Sequence, residues 1–163
     1  MTKNNLIKNL ELVKHPEGGY YKEIYRSNET ISKKNLPTRY NSDHSYATII
    51  YYLLTGKEVS KFHKLKSDES WHFHFGAPLI IHTLNENGKY NSFELGITNN
   101  SMQAVVIIEK NTWFAAEVKN KESFSLVSCS VFPGFEFEDF QLASAKELKN
   151  LLTDKKELLN RFI

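Results

Sequence analysis

The segment His63-Lys-Leu-Lys-Ser-Asp68-Glu69-Ser-Trp71-His72-Phe-His74-Phe-Gly76 holds three of the six histidines and two acids. Imidazole and carboxyl groups move protons near neutral pH, and both ligate transition metals. A turn separates His63 from Glu69, so the two can point to the same side from adjacent strands. There they would form an acid–base pair, two members of a three- or four-ligand metal site, or a buried ion pair that only holds a ligand. Strand alternation puts Trp71, Phe73 and Phe75 on the side of Glu69, and Ser70, His72 and His74 on the other. His72 and His74 could chelate a metal together or hydrogen-bond in a subunit contact. A catalytic metal usually takes at least three protein ligands, and no third is evident beside them. The Trp71, Phe73, Phe75 stripe fits a core as well as a wall on which a ligand stacks. Cys129, the one cysteine, lies on the Val127/Val131 side of an apolar run and reads as a small core residue. A lone cysteine excludes an internal disulfide and a multi-cysteine zinc site. No Ser-His-Asp order and no Gly-rich phosphate loop is present.

Short strands must position these groups. Runs rich in Tyr, Ile, Val and Phe fall at about 20–25, 46–54, 59–63, 69–75, 79–84, 90–95, 103–108, 113–117 and 123–131. Nine short strands with no helix between them predict an all-β sandwich or barrel. Asn87-Gly88 is a tight-turn signal, Gly18-Gly19 permits unusual backbone angles before the first strand, and Pro133-Gly134 ends the last. Ahead of the strands, Leu6, Leu10 and Val13 at helical spacing, with Thr2 as cap, predict a short helix over the first fifteen residues. Behind them, Ser144-Ala-Lys-Glu147 is a capping box before Leu148, Leu151 and Leu152. Leu158, Leu159 and Phe162 predict a further short turn or helix. The polar stretch 27–45 is the longest expected loop and a candidate lid over a pocket. In the run 46–54 both faces are apolar, Ile50, Tyr52 and Leu54 on one and Ile49, Tyr51 and Leu53 on the other. The barrel can cover one face; a helix or a second subunit must cover the other, which predicts a homodimer.

A chain of 163 residues suits one domain, 1–163, with the barrel at about 15–142 and a helical segment at about 144–163. Its 13% aromatic content excludes disorder. A formal charge of +2 makes no nucleic-acid surface. Apolar runs stop far short of the roughly 20 residues of a membrane helix. The N-terminus carries no apolar h-region, so a cytoplasmic location is expected.

Three ordered motifs resemble a small cupin family of unknown function, sometimes called the fifth cupin family. They are His15-Pro16-Glu17-Gly18-Gly19-Tyr20-Tyr21, the Ser67–Gly76 stretch quoted above, and Pro133-Gly134-Phe135-Glu136-Phe137-Glu138-Asp139-Phe140. The resemblance implies a one-domain jelly-roll barrel, usually a homodimer. It also implies metal positions, and these are only half kept. His63 matches the first histidine of the general cupin motif, Glu69 its glutamate and Gly76 its glycine. Leu65 stands where the second histidine would. In the second motif Trp113 matches, while Glu109, Asn111 and Phe114 replace Pro, Gly and a polar residue facing the pocket. Lys64, where the family tends to have arginine, lacks a bidentate fork. His63 and Glu69 alone would hold a metal weakly, so neither a tightly bound metal nor another cofactor is expected.

The expected architecture is therefore an all-β cupin jelly roll with short terminal helices. Its expected role is small-molecule binding, with His63 and Glu69 as polar anchors and Trp71, Phe73 and Phe114 as walls. An alternative is a metal-free acid–base enzyme, such as a sugar-nucleotide epimerase or isomerase, using His63 and Glu69 as catalytic groups. A metal-dependent oxygenase or isomerase, and a structural dimer with a vestigial pocket, complete the set.

Overall fold

The computed structural model describes residues 2–97, 102–152 and 156–163, without the side chains of residues 150, 151, 156 and 159. Helix α1 (Lys3–Asn9) starts at Thr2, whose hydroxyl accepts from Asn5 N at 3.4 Å. It is shorter than expected. Glu11 adopts a φ of 53°, and Val13 enters strand β1 (Val13–Lys14) with its side chain exposed. Leu6 and Leu12, rather than Val13, make the buried contacts.

The chain then runs through β2 (Tyr20–Arg26), β3 (Thr30–Ile31), β4 (His44–Ser45), β5 (Thr48–Thr55), β6 (Val59–Leu65) and β7 (Asp68–Gly76). It continues through β8 (Leu79–Leu84), β9 (Tyr90–Leu95), β10 (Val105–Ile108), β11 (Trp113–Val118), β12 (Phe124–Phe132) and β13 (Phe140–Leu142). Helices α2 (Ala145–Leu151) and α3 (Lys156–Phe162) follow. All nine expected strands form, with ends moved by one or two residues. Strand β13 was not expected; it has three residues and no alternation of burial to announce it. Pro133-Gly134 therefore ends β12 but not the last strand.

Two antiparallel sheets face each other, ordered β1-β2-β5-β12-β7-β10 and β13-β6-β11-β8-β9, with β3 and β4 as a separate pair. This is the expected all-β jelly roll. The side chains between the sheets make the main core, including Leu54, Trp71, Ile81, Phe114 and Val127. The outer side of the smaller sheet is closed by the C-terminal helices, where Phe62 and Trp113 meet Leu148, Leu152 and Phe162. The capping box of Ser144 and Glu147 forms as expected. Leu151 and Leu159 lie outside the described side chains. Among the described residues, no helix is long and apolar enough to cross a membrane.

Three local departures matter for the site. First, Val127 pairs with Phe73 and Leu126 with Phe75, so His74 is an extra residue in β7. Such a bulge breaks alternation. Glu69 and Trp71 are buried, but Phe75 is exposed against Phe124 instead of sharing their side. Second, the outer face of β5 is only partly covered. Leu53 packs under Leu6 and Leu12 of the N-terminal segment, while Ile49 and Tyr51 stay half-buried. Third, the stretch 27–45 is pinned to the barrel wall. Tyr40 is fully buried, and its hydroxyl lies 2.9 Å from Ser67 Oγ and 3.1 Å from the Lys66 carbonyl.

Candidate functional site

A cavity of about 280 Å³ opens between the two sheets. β6 brings His63 to it and β7 brings Glu69 and Trp71, as the spacing predicts. Cys129 of β12 also reaches it. The pairing explains this, because Cys129 sits opposite Trp71 and both project inward. Phe73 and Phe114 were expected as walls and are not among the lining residues. Phe73 packs against the core cluster, and Phe114 lies behind His63 with ring centroids 4.0 Å apart. No residue from 27–45 lines the cavity, so that stretch is not its lid. The mouth is bordered instead by Phe135, Phe137 and Arg26. Arg26 is held there by Glu23 at 2.9 Å, Glu136 at 2.6 Å and the Phe135 carbonyl at 3.1 Å.

The residues the spacing argument missed come from the turn before β2. His15 and Glu17 both line the cavity. The turn docks on β6, with Lys61 N donating to the Glu17 carbonyl at 2.9 Å. It also docks on β5, where the Tyr52 hydroxyl donates to the Gly18 carbonyl at 2.9 Å. No periodicity marks such a turn; the available signal was the motif His15-Pro16-Glu17-Gly18-Gly19.

Glu17, not Glu69, is the carboxyl at His63. Its Oε2 lies 3.1 Å from His63 Nε2, and its Oε1 accepts from Ser60 Oγ at 2.9 Å. His63 Nδ1 lies 2.7 Å from the Lys61 carbonyl, so it must carry a proton. The neutral ring then offers a lone pair at Nε2. Burial pushes the His63 imidazolium down to about 4 and raises the Glu17 carboxyl above its usual range. Both shifts favour one shared proton, carried by Glu17 and donated to His63 Nε2. Glu17 N donates to His15 Nδ1 at 3.3 Å, which leaves the neutral His15 ring its proton at Nε2.

Glu69 is in a different state. Its Oε2 and the nearby Trp71 Nε1 are buried with no hydrogen-bond partner. Burial, reinforced by the Glu17 carboxyl, raises Glu69 to about 8. An uncharged carboxylic acid is thus kept inside the barrel at neutral pH, able to donate or accept a hydrogen bond.

The cupin metal set does not fit these residues. Leu65 lines the cavity at the second histidine position, and Phe114 packs against His63 at the fourth, its ring tilted by 59°. Among the described residues, no group of three or more His, Cys, Asp or Glu side chains could hold a metal ion. That includes His72 and His74. The bulge separates them: His72 Nε2 meets Ser70 Oγ at 2.9 Å, and His74 faces Tyr51. Asn111, in place of the motif's glycine, has a φ of 62°. Asparagine is among the few residues that accept this conformation, so the turn survives without glycine.

Comparison with known proteins agrees with this fold. The model of the family described as Cupin superfamily (DUF985) matches residues 4–143. The chain belongs to this family. It is similar to the uncharacterized protein YML079W of Saccharomyces cerevisiae, at 31% identity over 173 aligned positions, covering 93% of this chain and 80% of that one. Protein SO0799 from Shewanella oneidensis has a similar structure, with 32% identity, a TM-score of 0.89, and 99% of this chain and 97% of that one covered. A hypothetical protein from Leishmania major follows at 28% identity and a TM-score of 0.88, with 99% and 98% covered.

Proposed function

We propose that this cupin binds a small molecule inside its barrel, without a tightly bound metal. The observation that carries the reading is a cavity of about 280 Å³ walled by aromatic and aliphatic side chains, into which His15, Glu17, His63 and Glu69 converge. Apolar walls with a few convergent polar groups are the usual make-up of a small-molecule site. Trp113→Phe leaves Trp71 as the sole tryptophan and an emission probe in the cavity wall. A small molecule that the barrel takes should change that emission saturably, and plasma mass spectrometry should find well under one metal per chain. A near-stoichiometric metal, lost in His63→Ala, would overturn the metal-free reading. A library of small metabolites without one saturable responder would overturn binding.

The shared proton between Glu17 and His63 favours a second reading, a metal-free acid–base enzyme. The pair replaces the expected His63–Glu69 pair. An enzyme of this kind would lose turnover in Glu17→Gln with ligand binding retained.

A homodimer is the partner we infer. Tyr25, Ile49, Ser130, Ser70 and Ile107 are register partners in one row across the larger sheet. Tyr51, Ser128, His72 and Val105 form the next row. Tyr25, Val105 and Ile107 are exposed, which makes a face with apolar ends and small polar residues between them. Sedimentation should show a dimer at micromolar concentration and a monomer for Ile107→Glu. A wild-type monomer would remove the proposal.

A further inference from the structure

The charge balance inside the barrel narrows the ligand class. Glu17 and Glu69 are both more than nine-tenths buried and both line the cavity. Among the described residues no lysine lines it, and Arg26 is the only guanidinium that does. Arg26 stands at the mouth, with four of its five N–H donors given to Glu23, Glu136 and the Phe135 carbonyl and its charge offset by the two carboxylates. The two lining histidines are neutral, for the proton-placement reasons given above. An entering anion would thus meet two carboxyl groups and no free cation.

The remaining walls suit a positive charge. Tyr21, Tyr52, Trp71 and Phe140 place aromatic rings around the same space. Ring faces attract cations, by about 2 kcal/mol or more where water is excluded. Glu69 lines the same space and, once ionised, supplies the negative charge that such a cation lacks in an all-aromatic box. We propose that the barrel cavity receives the ammonium head of a small organic cation, seated between the aromatic rings and Glu69, whose carboxyl releases its proton to solvent as the cation binds.

This rests on the small-molecule reading and goes one step further, so the test must separate the two. Three probes of one shape and different charge do so: choline, 3,3-dimethylbutan-1-ol and 3,3-dimethylbutanoate. Calorimetric titration of the full-length protein should rank choline tightest, by about tenfold over the alcohol, since tenfold corresponds to about 1.4 kcal/mol. The butanoate should be weakest. Glu69→Gln should remove choline's advantage and leave the alcohol's affinity within about twofold, since the aromatic walls are unchanged. If the alcohol or the butanoate binds as tightly as choline, the cation is wrong and the binding barrel stands. If none of the three saturates, the cation falls, and the metabolite library alone decides the binding barrel.

Discussion

Glu69→Gln should stabilise the protein, and the gain should grow with pH. Glu69 titrates at about 8 in the folded chain, against an unperturbed 4.5. Between those values the folded chain holds a proton that the unfolded chain has released. Stability therefore falls as pH rises through this window, and the loss is complete above about pH 8. At 1.36 kcal/mol per unit the full cost is about 5 kcal/mol. Glutamine keeps the shape and cannot ionise, so the variant escapes that cost. Its advantage over wild type in urea melts should be near zero below pH 4.5 and approach the full value above pH 8. A pH-independent difference, or a variant less stable than wild type at pH 9, would show that Glu69 is not an uncharged acid in the fold.

His63 acts with the opposite sign. Its folded value is about 4 against 6.5. Below 6.5 the unfolded chain binds a proton that the folded chain refuses, so stability is lost as pH falls toward 4. Between 4.5 and 6.5 the slopes from Glu69 and His63 oppose each other. Glu17, also raised, adds a slope of Glu69's sign, and His15, also lowered, one of His63's. Glu69→Gln removes one carboxyl slope and should therefore tilt the curve in this interval toward a rise with pH, relative to wild type. The buried groups that line the cavity thus help to set the pH range in which the barrel is most stable.

Much of this architecture was legible in the residue order. Alternating runs with clear turn residues gave each of the nine strands, because period-two burial leaves a direct trace in hydrophobicity. His63, Glu69 and Trp71 point into the barrel for the same reason. The failures occur where backbone pairing, not side-chain type, decides. One extra residue at His74 reversed the side taken by Phe75, and nothing in the residue types marks a bulge. The expectation that Phe114 faces the pocket treated a strand position as equivalent to a lining position. The ring is buried, but His63 stands between it and the space. The partner of His63 was misassigned because Glu17 lies 46 residues before it and arrives on a turn, where periodicity carries no information. Only the ordered motif around Gly18 hinted that the segment had a fixed role.

Gly18→Ala should be the most damaging small substitution near the site. Gly18 has a φ of 115°, a region open to glycine and costly for any residue with a Cβ. A methyl built there would also sit 2.1 Å from the Val59 carbonyl oxygen, which belongs to a strand backbone and cannot turn aside. Strain and overlap together should cost about 3 kcal/mol or more. The consequence reaches the cavity. To relieve the overlap the turn must lift from β6, and it carries Glu17, whose backbone carbonyl is bonded to Lys61 N and whose carboxyl meets His63. Loss of that carboxyl frees His63 Nε2, and the aromatic wall loses its anchor where Tyr52 bonds the Gly18 carbonyl. Gly88→Ala provides the comparison: its φ of 74° is also positive, but it lies in the β8–β9 hairpin turn away from the cavity. That variant should lose about 1 kcal/mol, with Trp71 emission unchanged. Gly18→Ala should melt well below it and shift Trp71 emission even where it remains folded. Equal melting temperatures for the two variants would mean that the close approach of Gly18 to Val59 does not position Glu17, and that the turn tolerates a side chain without moving the site.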